Sequence, residues 1–373
     1  MLIGTTESVA TVLERHAQED QLWGAGVVVL KDSQTVAEHY AGAAAPNLPA
    51  GPQVLWPIAS ISKVYTAAAI MRLVEEGSLT LNTPVHLILP GFTGEGRAEV
   101  RLRHLLTHTA GFRYESPEME QRLRTQTQRS ELVREALESP LLFKPGTQLN
   151  YADYNYLIAG HLAELVTGQD FPRLVNSLVL EPAGLKQSFI PPSAGDEDRI
   201  AYIRGVLAEG TEGAMYNSRY ARDLAHPAFG IFATTADLAR FGSMFMPGGP
   251  RFLSDATVHA MTVDQTGGVP GVHPSMKGYA ADVHIPWGLG FAVQSAQVPC
   301  LYSDLASFET FGHGGASGCQ LICDPALGIV VAVTSNTHLR LGREAWYRRM
   351  QSIINNAIAE GARQTASSTR RSR

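Results

Sequence analysis

The sequence predicts an α+β fold in which strands from both ends of the chain form one lobe and a helical lobe is inserted between them. Strand-like runs occur at Gly26–Leu30 and at Ile329–Thr334, whereas the middle of the chain is mainly helical in pattern. With 373 residues and 45% hydrophobic residues, the chain has enough material for one large domain or two lobes. The predicted divisions are an α/β lobe over 1–85 and 286–360, a mostly helical lobe over 86–285, and a disordered tail over 361–373.

The first part of the chain predicts a helix followed by a hairpin. Residues 6–20 have an amphipathic helical pattern, and Gly26–Leu30 is a continuous apolar run typical of a buried strand. A polar turn then leads into a second strand over Thr35–Ala41, which makes the pair an antiparallel hairpin. Residues 43–53 are rich in Ala, Pro and Gly and predict a surface loop.

A long helix is predicted after Pro57, with Ser60 near its N-terminus and Gly77 at its end. Lys63 follows Ser60 by three residues, and side chains at this spacing share a helix face, with Cβ atoms about 5–6 Å apart. A nearby amine can take the proton of a serine hydroxyl, and the helix N-terminus favours negative charge there. A capping serine beside a solvated lysine is the alternative, so the pair needs partners elsewhere in the sequence.

Two histidines, His104 and His108, are spaced like metal ligands on a helix. However, the motif has Leu105 where a zinc protease has its glutamate, so we expect a helix ending in a Thr-Ala-Gly turn and no metal. Residues 115–140, with many Glu and Arg, predict helices on a solvated surface.

A polar motif precedes the next helix. Tyr151 and Asp153 are predicted to lie in the loop just before an apolar helical run that starts at Tyr156. Loops mounted on rigid elements often carry catalytic groups. Residues 190–228 predict a long excursion near the site, and residues 264–285 predict a Gly/Pro-rich loop.

The last part of the chain predicts strands and a terminal helix. A helix capped by Thr or Asp begins near Ala233, and three strands with one hairpin turn at 324–328 follow it. The expected strands are Trp287–Val293, Gly318–Cys323 and Ile329–Thr334, and the amphipathic helix covers 342–360.

Charge, apolar runs and cysteine spacing exclude several classes of function. The net charge is −5 and basic residues cluster only in the last few positions, so we expect no nucleic-acid partner. No apolar run predicts a membrane span, and Met1–Glu7 lacks the features of a signal peptide, so we expect a cytoplasmic protein. Cys319 and Cys323 would lie about 13 Å apart on one strand face, too far for a disulfide. We expect reduced thiols, no zinc and no cofactor.

Three motifs stand in order along the chain: Ser60-x-x-Lys63, Tyr151-x-Asp153 and His313-Gly314-Gly315. Together with Leu105–Gly111, Pro145-Gly146-Thr147 and Asp324-Pro325, they resemble the serine β-lactamase and penicillin-binding-protein superfamily over residues 23–336. The resemblance is to its class C-like branch, which includes esterases, D-amino-acid peptidases and acyltransferases. It implies an antiparallel sheet flanked by helices, with the site between that sheet and the helical lobe.

The resemblance also implies roles for the site residues. Ser60 would be the nucleophile that forms an acyl-enzyme, Lys63 would lower the pKa of Ser60 and Tyr151, and Tyr151 would be the general base and later the acid. The backbone N–H groups of Ser60 and Ala316 would form the oxyanion hole. Gly314 and Gly315 would let the backbone approach the acyl group closely.

Two departures from the family pattern bear on the substrate. Asp153 stands where the family often has Asn, and it adds negative charge beside Lys63. His313 stands where β-lactamases have a lysine that binds the substrate carboxylate. Both changes favour substrates without a carboxylate, so the predicted function is a serine hydrolase, foremost a carboxylesterase acting on small esters. A D-amino-acid peptidase or amidase, an acyltransferase, and a β-lactamase or penicillin-binding protein stay open, as does the oligomeric state.

Overall fold

The structure is a computed structural model that describes residues 7–19, 22–204, 216–272, 283–295, 303–338 and 343–368. The helices are α1 Val9–Gln18, α2 Ser62–Glu75, α3 Val85–Ile88, α4 Leu102–Leu106, α5 Met119–Arg124, α6 Arg129–Glu138, α7 Asp153–Thr167, α8 Phe171–Val175, α9 Arg219–Asp223, α10 Thr235–Ser243, α11 Asp255–Thr262 and α12 Arg343–Ser368. Shorter turns of 3₁₀ helix lie at Ala59–Ile61, Arg97–Glu99 and Ala194–Arg199, and a π turn covers Asn176–Leu180.

The strands are β1 Gly24–Lys31, β2 Gln34–Ala45, β3 Leu48–Pro49, β4 Trp56–Pro57, β5 Leu149–Asn150, β6 Ser188–Phe189, β7 Phe232–Ala233, β8 Gly271–Val272, β9 Ala292–Val293, β10 Phe311–Gly314, β11 Gln320–Asp324 and β12 Ile329–Ser335. Seven of them form one sheet in the order β3-β2-β1-β12-β11-β10-β9, and every pair in it is antiparallel. The predicted α+β fold class is confirmed.

The two ends of the chain meet in the middle of this sheet. Strand β1 pairs with β12 over seven residues, with Val28 opposite Ala332. Between these strands in sequence come the helices α2 to α11, as the position of the strand-like runs predicted. The lobe boundaries at residues 85 and 286 stay a prediction.

The two faces of the sheet pack against different helices because side chains alternate along a strand. Val27 and Val29 of β1 face α1 and α12, and they pack there with Val12 and Ile353 among others. Val28 and Leu30 face the larger core, which includes the buried residues of α2 and α10. Helix α2 is therefore enclosed, with eleven of its residues buried.

Two predictions about the strands are wrong. Residues 43–53 are not all loop, because β2 continues to Ala45 and turns into β3. The strand expected over Trp287–Val293 is reduced to Ala292–Val293. Gly290 has φ +103°, which no regular strand contains, and a Cβ at Gly288 would lie 2.1 Å from the carbonyl oxygen of Met261. The backbone therefore bends sharply before it joins the sheet.

Other helix boundaries also differ from the expectation. Asp153 is not in the loop but is the first residue of α7. Helix α12 continues to Ser368, past residue 361 where the tail was predicted to begin, and residues 369–373 lie outside the described residues. Parts of the two predicted long loops, residues 205–215 and 273–282, lie outside the described residues as well. In the part of the chain that the structure describes, no helix combines the length and apolar character needed to cross a membrane.

We expect Gly242→Val to destabilise the protein, because α10 approaches the sheet closely at Gly242. A Cβ there would lie 2.8 Å from Leu321 Cδ1 and 2.9 Å from Val330 Cγ1. Overpacking of this kind costs about 1–3 kcal/mol in the free energy of unfolding, which urea denaturation would measure. Gly51→Val is the control, since a Cβ at Gly51 meets nothing within 4 Å. Equal stability of the two variants would contradict the packing of α10 on the sheet.

Candidate active site

Ser60 lies in the 3₁₀ turn that leads into α2, and its position is fixed by the backbone on both sides. The N–H of Ile58 donates to the carbonyl of Ile231 at 3.1 Å, and the N–H of Ile231 donates to Ser62 Oγ at 3.0 Å. The residue before Ser60, Ala59, has φ +47°, which is uncommon for any residue other than glycine. Ser60 is therefore held on a sharp turn, as the sequence predicted from its place near the helix start.

Lys63 lies one turn further on and is completely buried. Its Nζ donates to Ser60 Oγ at 3.0 Å and to the carbonyl oxygen of Ala228 at 3.2 Å. The same Nζ lies 2.6 Å from Asp153 Oδ1, so three oxygens match the three hydrogens of an ammonium group. The predicted pairing of Asp153 with Lys63 is thus present as a buried ion pair.

Burial acts on both members of this pair. It lowers the pKa of Lys63, and the Asp153 carboxylate opposes that shift. It also raises the pKa of Asp153, and the Lys63 charge opposes that shift. Burial thus disfavours the ammonium form of Lys63 and the carboxylate form of Asp153, while each charge stabilises the other.

Tyr151 completes the group around the serine. Its ring centroid lies 4.7 Å from Lys63 Nζ, and its side chain shares a hydrogen bond with Ser60. Burial raises the pKa of Tyr151 well above its usual value, the Asp153 charge raises it further, and the hydrogen bond with Ser60 opposes the rise. The net shift is upward, and the lowering of this pKa that was predicted for Lys63 stays a prediction. Tyr151 carries its proton at neutral pH.

His313 lies in β10 and is buried beside this group. Its Nδ1 is 2.8 Å from the carbonyl oxygen of Gly314, so Nδ1 carries a proton. The ring centroid lies 6.0 Å from that of Tyr151 and 5.6 Å from that of Trp287. The structure thus brings His313 next to Tyr151.

The turn after β10 packs directly against the serine turn. A Cβ at Gly315 would lie 2.3 Å from the carbonyl oxygen of Ile58 and 3.4 Å from Ala59 Cβ. Only glycine permits this approach, which places Ala316 in the turn next to the Ser60 segment. The N–H of Gly315 donates to the carbonyl of Cys319 at 2.8 Å, which closes the turn.

Sequence reasoning missed several groups at the site. The Ala228 carbonyl is a partner of Lys63, yet no sequence signal distinguishes Ala228 from other alanines. Trp287 was assigned only to a strand, but its ring lies 5.6 Å from that of Tyr151. Tyr156 was assigned only to a helix, and its ring centroid is 6.0 Å from Lys63 Nζ. The only sequence signal for Tyr156 was its closeness along the chain to the other aromatic residues near Tyr151.

No metal cluster accompanies the site in the described ranges. Among those residues, no group of three or more His, Cys, Asp or Glu side chains is placed to hold a metal ion. A cavity of about 1000 Å³ lies on another side of the molecule, between α6, α7 and α9. It contains none of the predicted site residues, and its Arg129 and Glu164 bond to each other at 2.6 Å.

Comparison with known proteins shows the family of this chain. The family model described as Beta-lactamase matches residues 9–352. The chain belongs to the beta-lactamase family. Its resemblance to the serine β-lactamases and penicillin-binding proteins is thereby confirmed, and so is its place in a family of serine hydrolases.

Individual relatives are distant. A protein of Salmonella schwarzengrund, provisionally named a D-alanyl-D-alanine carboxypeptidase, is 24% identical over 83% of this chain and 76% of its own length. Among solved structures, EstCE1, described as a hydrolase with promiscuous acyltransferase activity, is similar with a TM-score of 0.76 and 23% identity. That match covers 93% of this chain and 97% of the other. A penicillin-binding-protein homologue of Caulobacter crescentus has a TM-score of 0.72 and 23% identity over 94% and 96% of the two chains. These likenesses show a shared fold.

We expect Asp153→Asn to shift the acid limb of the kcat/KM profile to lower pH. The Asp153 carboxylate raises the pKa of Lys63, so removing its charge lets the neutral amine form at a lower pH. A pH–rate profile on an ester substrate would measure the shift. Glu138→Gln on the surface of α6 is the control for net charge and should leave the profile in place. If the acid limb of the Asp153→Asn profile moved to higher pH, the conclusion that the Asp153 carboxylate raises the pKa of Lys63 would be contradicted.

Proposed function

We propose that this protein is a carboxylesterase that acts on small neutral esters through an acyl-enzyme on Ser60. The observation that carries the proposal is the set of contacts at one oxygen atom. Ser60 Oγ accepts a hydrogen bond from Lys63 Nζ at 3.0 Å and shares another with Tyr151. A serine hydroxyl with a buried amine on one side and a phenol on the other has both a proton acceptor and a proton donor for acyl transfer.

In the first step, the amine of Lys63 takes the proton of Ser60 as Oγ attacks the carbonyl carbon of the ester. The amine form is available because burial lowers the pKa of Lys63. The new C–O bond yields a tetrahedral oxyanion. We assign the backbone N–H groups of Ser60 and Ala316 to this oxyanion, since Gly315 brings the two turns into contact.

In the second step, the C–O bond to the leaving alcohol breaks and the alcohol oxygen receives a proton from Tyr151. Tyr151 suits this role because its raised pKa keeps the phenol protonated until the alkoxide develops. The proton on Lys63 can then return to the phenolate, whose ring lies 4.7 Å from Nζ. Water then attacks the acyl-enzyme and gives a proton to the amine of Lys63. The C–O bond to Ser60 breaks and Oγ takes that proton from Lys63, which releases the acid and restores Ser60.

The substrate class is argued from His313. A lysine at this position would offer a permanent cation to a substrate carboxylate, whereas the His313 imidazole directs Nδ1–H to the Gly314 carbonyl. The charged groups that raise the pKa of Lys63 are the acidic residues Asp153 and Glu115. Such a site favours neutral acyl groups over the carboxylate-bearing substrates of a carboxypeptidase or a β-lactamase. An amidase, a D-amino-acid peptidase and an acyltransferase would use the same acyl-enzyme.

We expect Tyr151→Phe to affect substrates according to their leaving group. If Tyr151 is the acid, loss of its hydroxyl should lower kcat/KM for ethyl butyrate on the order of 10²–10⁴-fold. For p-nitrophenyl butyrate the loss should be no more than about tenfold, because nitrophenolate leaves without protonation. Lys63→Met should lower kcat/KM for both substrates alike, since attack on either ester requires removal of the Ser60 proton. A uniform loss in Tyr151→Phe would instead assign the base role to Tyr151.

We expect wild-type protein to hydrolyse p-nitrophenyl butyrate much faster than nitrocefin or a D-Ala-D-Ala peptide. His313→Lys should raise kcat/KM for the two carboxylate-bearing substrates relative to the neutral ester, because the ammonium supplies the missing cation. Steady-state kinetics of both proteins on the three substrates would measure the ratios. Wild-type turnover of nitrocefin or the peptide at the rate of the ester would contradict the proposed substrate class.

A further inference from the structure

His108 contacts the backbone on both sides of Tyr151. Its carbonyl oxygen accepts the N–H of Asn150 at 2.9 Å, and its Nδ1 accepts the N–H of Ala152 at 3.1 Å. His108 is fully buried and has φ +60°, an uncommon conformation for a residue with a side chain. One residue therefore bonds to the N–H groups of the residues immediately before and after the tyrosine.

The His108 ring also limits where the Tyr151 ring can go. The two ring centroids are 4.4 Å apart, and the imidazole is packed 5.0 Å from Trp287 as well. Because Nδ1 accepts an N–H, the imidazole is the neutral tautomer with its proton on Nε2. Asn155 Nδ2, one turn into α7, lies 3.1 Å from the same Nδ1. The ring is thus fixed by α7 and fixes Tyr151 in turn.

The local structure around Tyr151 needs such support. Tyr151 follows β5, which has only two residues, and it lies before the first residue of α7, so it is outside both elements. A catalytic group displaced by about 1 Å can lose about 10²-fold in rate, so the position of this loop matters.

We propose that His108 is a positioning residue that holds the Tyr151 hydroxyl against Ser60, through its Nδ1 bond to Ala152 and its ring contact with Tyr151. The proposal rests on the proton-donor role of Tyr151 in the proposed function. His104, four residues earlier in the same motif, has a different task. Its Nδ1 accepts the N–H of Arg101 at 3.2 Å at the start of α4.

The test compares two substitutions at His108 with one at His104. His108→Phe keeps a ring of similar size but has no acceptor, whereas His108→Asn keeps an acceptor and tolerates positive φ. His104→Phe is the matched control. Each protein is measured on ethyl butyrate and on p-nitrophenyl butyrate, and amide hydrogen exchange is followed in a peptide that covers Asn150–Asp153.

His108→Phe should lose about 10²-fold in kcat/KM on ethyl butyrate through kcat, with KM little changed and a much smaller loss on the nitrophenyl ester. His108→Asn should stay within about fivefold of wild type, and His104→Phe should match wild type. In a Tyr151→Phe background, His108→Phe should add little further loss, since the group it positions is already absent. Exchange at the Ala152 amide should rise in His108→Phe and stay low in His108→Asn.

The proposal is overturned if His108→Phe keeps the wild-type ratio of the two esters, or if its effect is fully additive with Tyr151→Phe. It is also overturned if His108→Asn loses as much as His108→Phe, because the acceptor would then be irrelevant. The proposed function is tested separately by ester turnover of the wild type and its loss in Ser60→Ala. The exchange measurement decides whether His108 holds the Tyr151 segment without reference to any substrate.

Discussion

The structure of the site depends on the burial of one ammonium group, that of Lys63. Removing a lysine from water costs several kcal/mol unless its hydrogens find acceptors, and here three oxygens supply them. These oxygens come from the turn before α2, from the start of α7 and from the Ala228 segment. The fold must bring all three segments together to bury Lys63, so the catalytic arrangement and the packing of the larger core are set by one constraint. The same burial makes the amine reactive, because it lowers the pKa of Lys63.

Much of this could be predicted from the sequence because it follows from short-range spacing. Ser60 and Lys63 are three residues apart on a helix, and the apolar runs at the two ends of the chain predicted the lobe in which β1 pairs with β12. The strand break near Gly288 could not be predicted, since it depends on the carbonyl of Met261 from a distant helix. Contacts of the Ala228 carbonyl and of His108 were equally hidden, because a backbone acceptor has no residue signature. The upward shift in the pKa of Tyr151 could not be predicted because it depends on burial, which only the fold reveals.

The family to which the chain belongs contains proteins of differing reported activity, and the fold alone does not separate them. The Salmonella relative is provisionally named for a peptide substrate that ends in a carboxylate, whereas EstCE1 is described as a hydrolase with acyltransferase activity. We propose that these activities differ through the groups beside Tyr151 that receive the substrate. In this chain the group is the buried imidazole of His313, with Trp287 and Tyr151 as its aromatic neighbours. We propose that these surroundings favour an uncharged acyl group.

The account is tested most directly by trapping the acyl-enzyme. Protein mixed with p-nitrophenyl butyrate is quenched in acid during turnover, digested, and searched by mass spectrometry for a peptide that carries one butyryl group. We expect that group on Ser60 in wild type, none in Ser60→Ala, and the same group on Ser60 in the control Ser78→Ala, because Ser78 is an exposed serine beyond the end of α2. A butyryl group on any other residue, or continued turnover by Ser60→Ala, would contradict the assignment of Ser60 as the nucleophile.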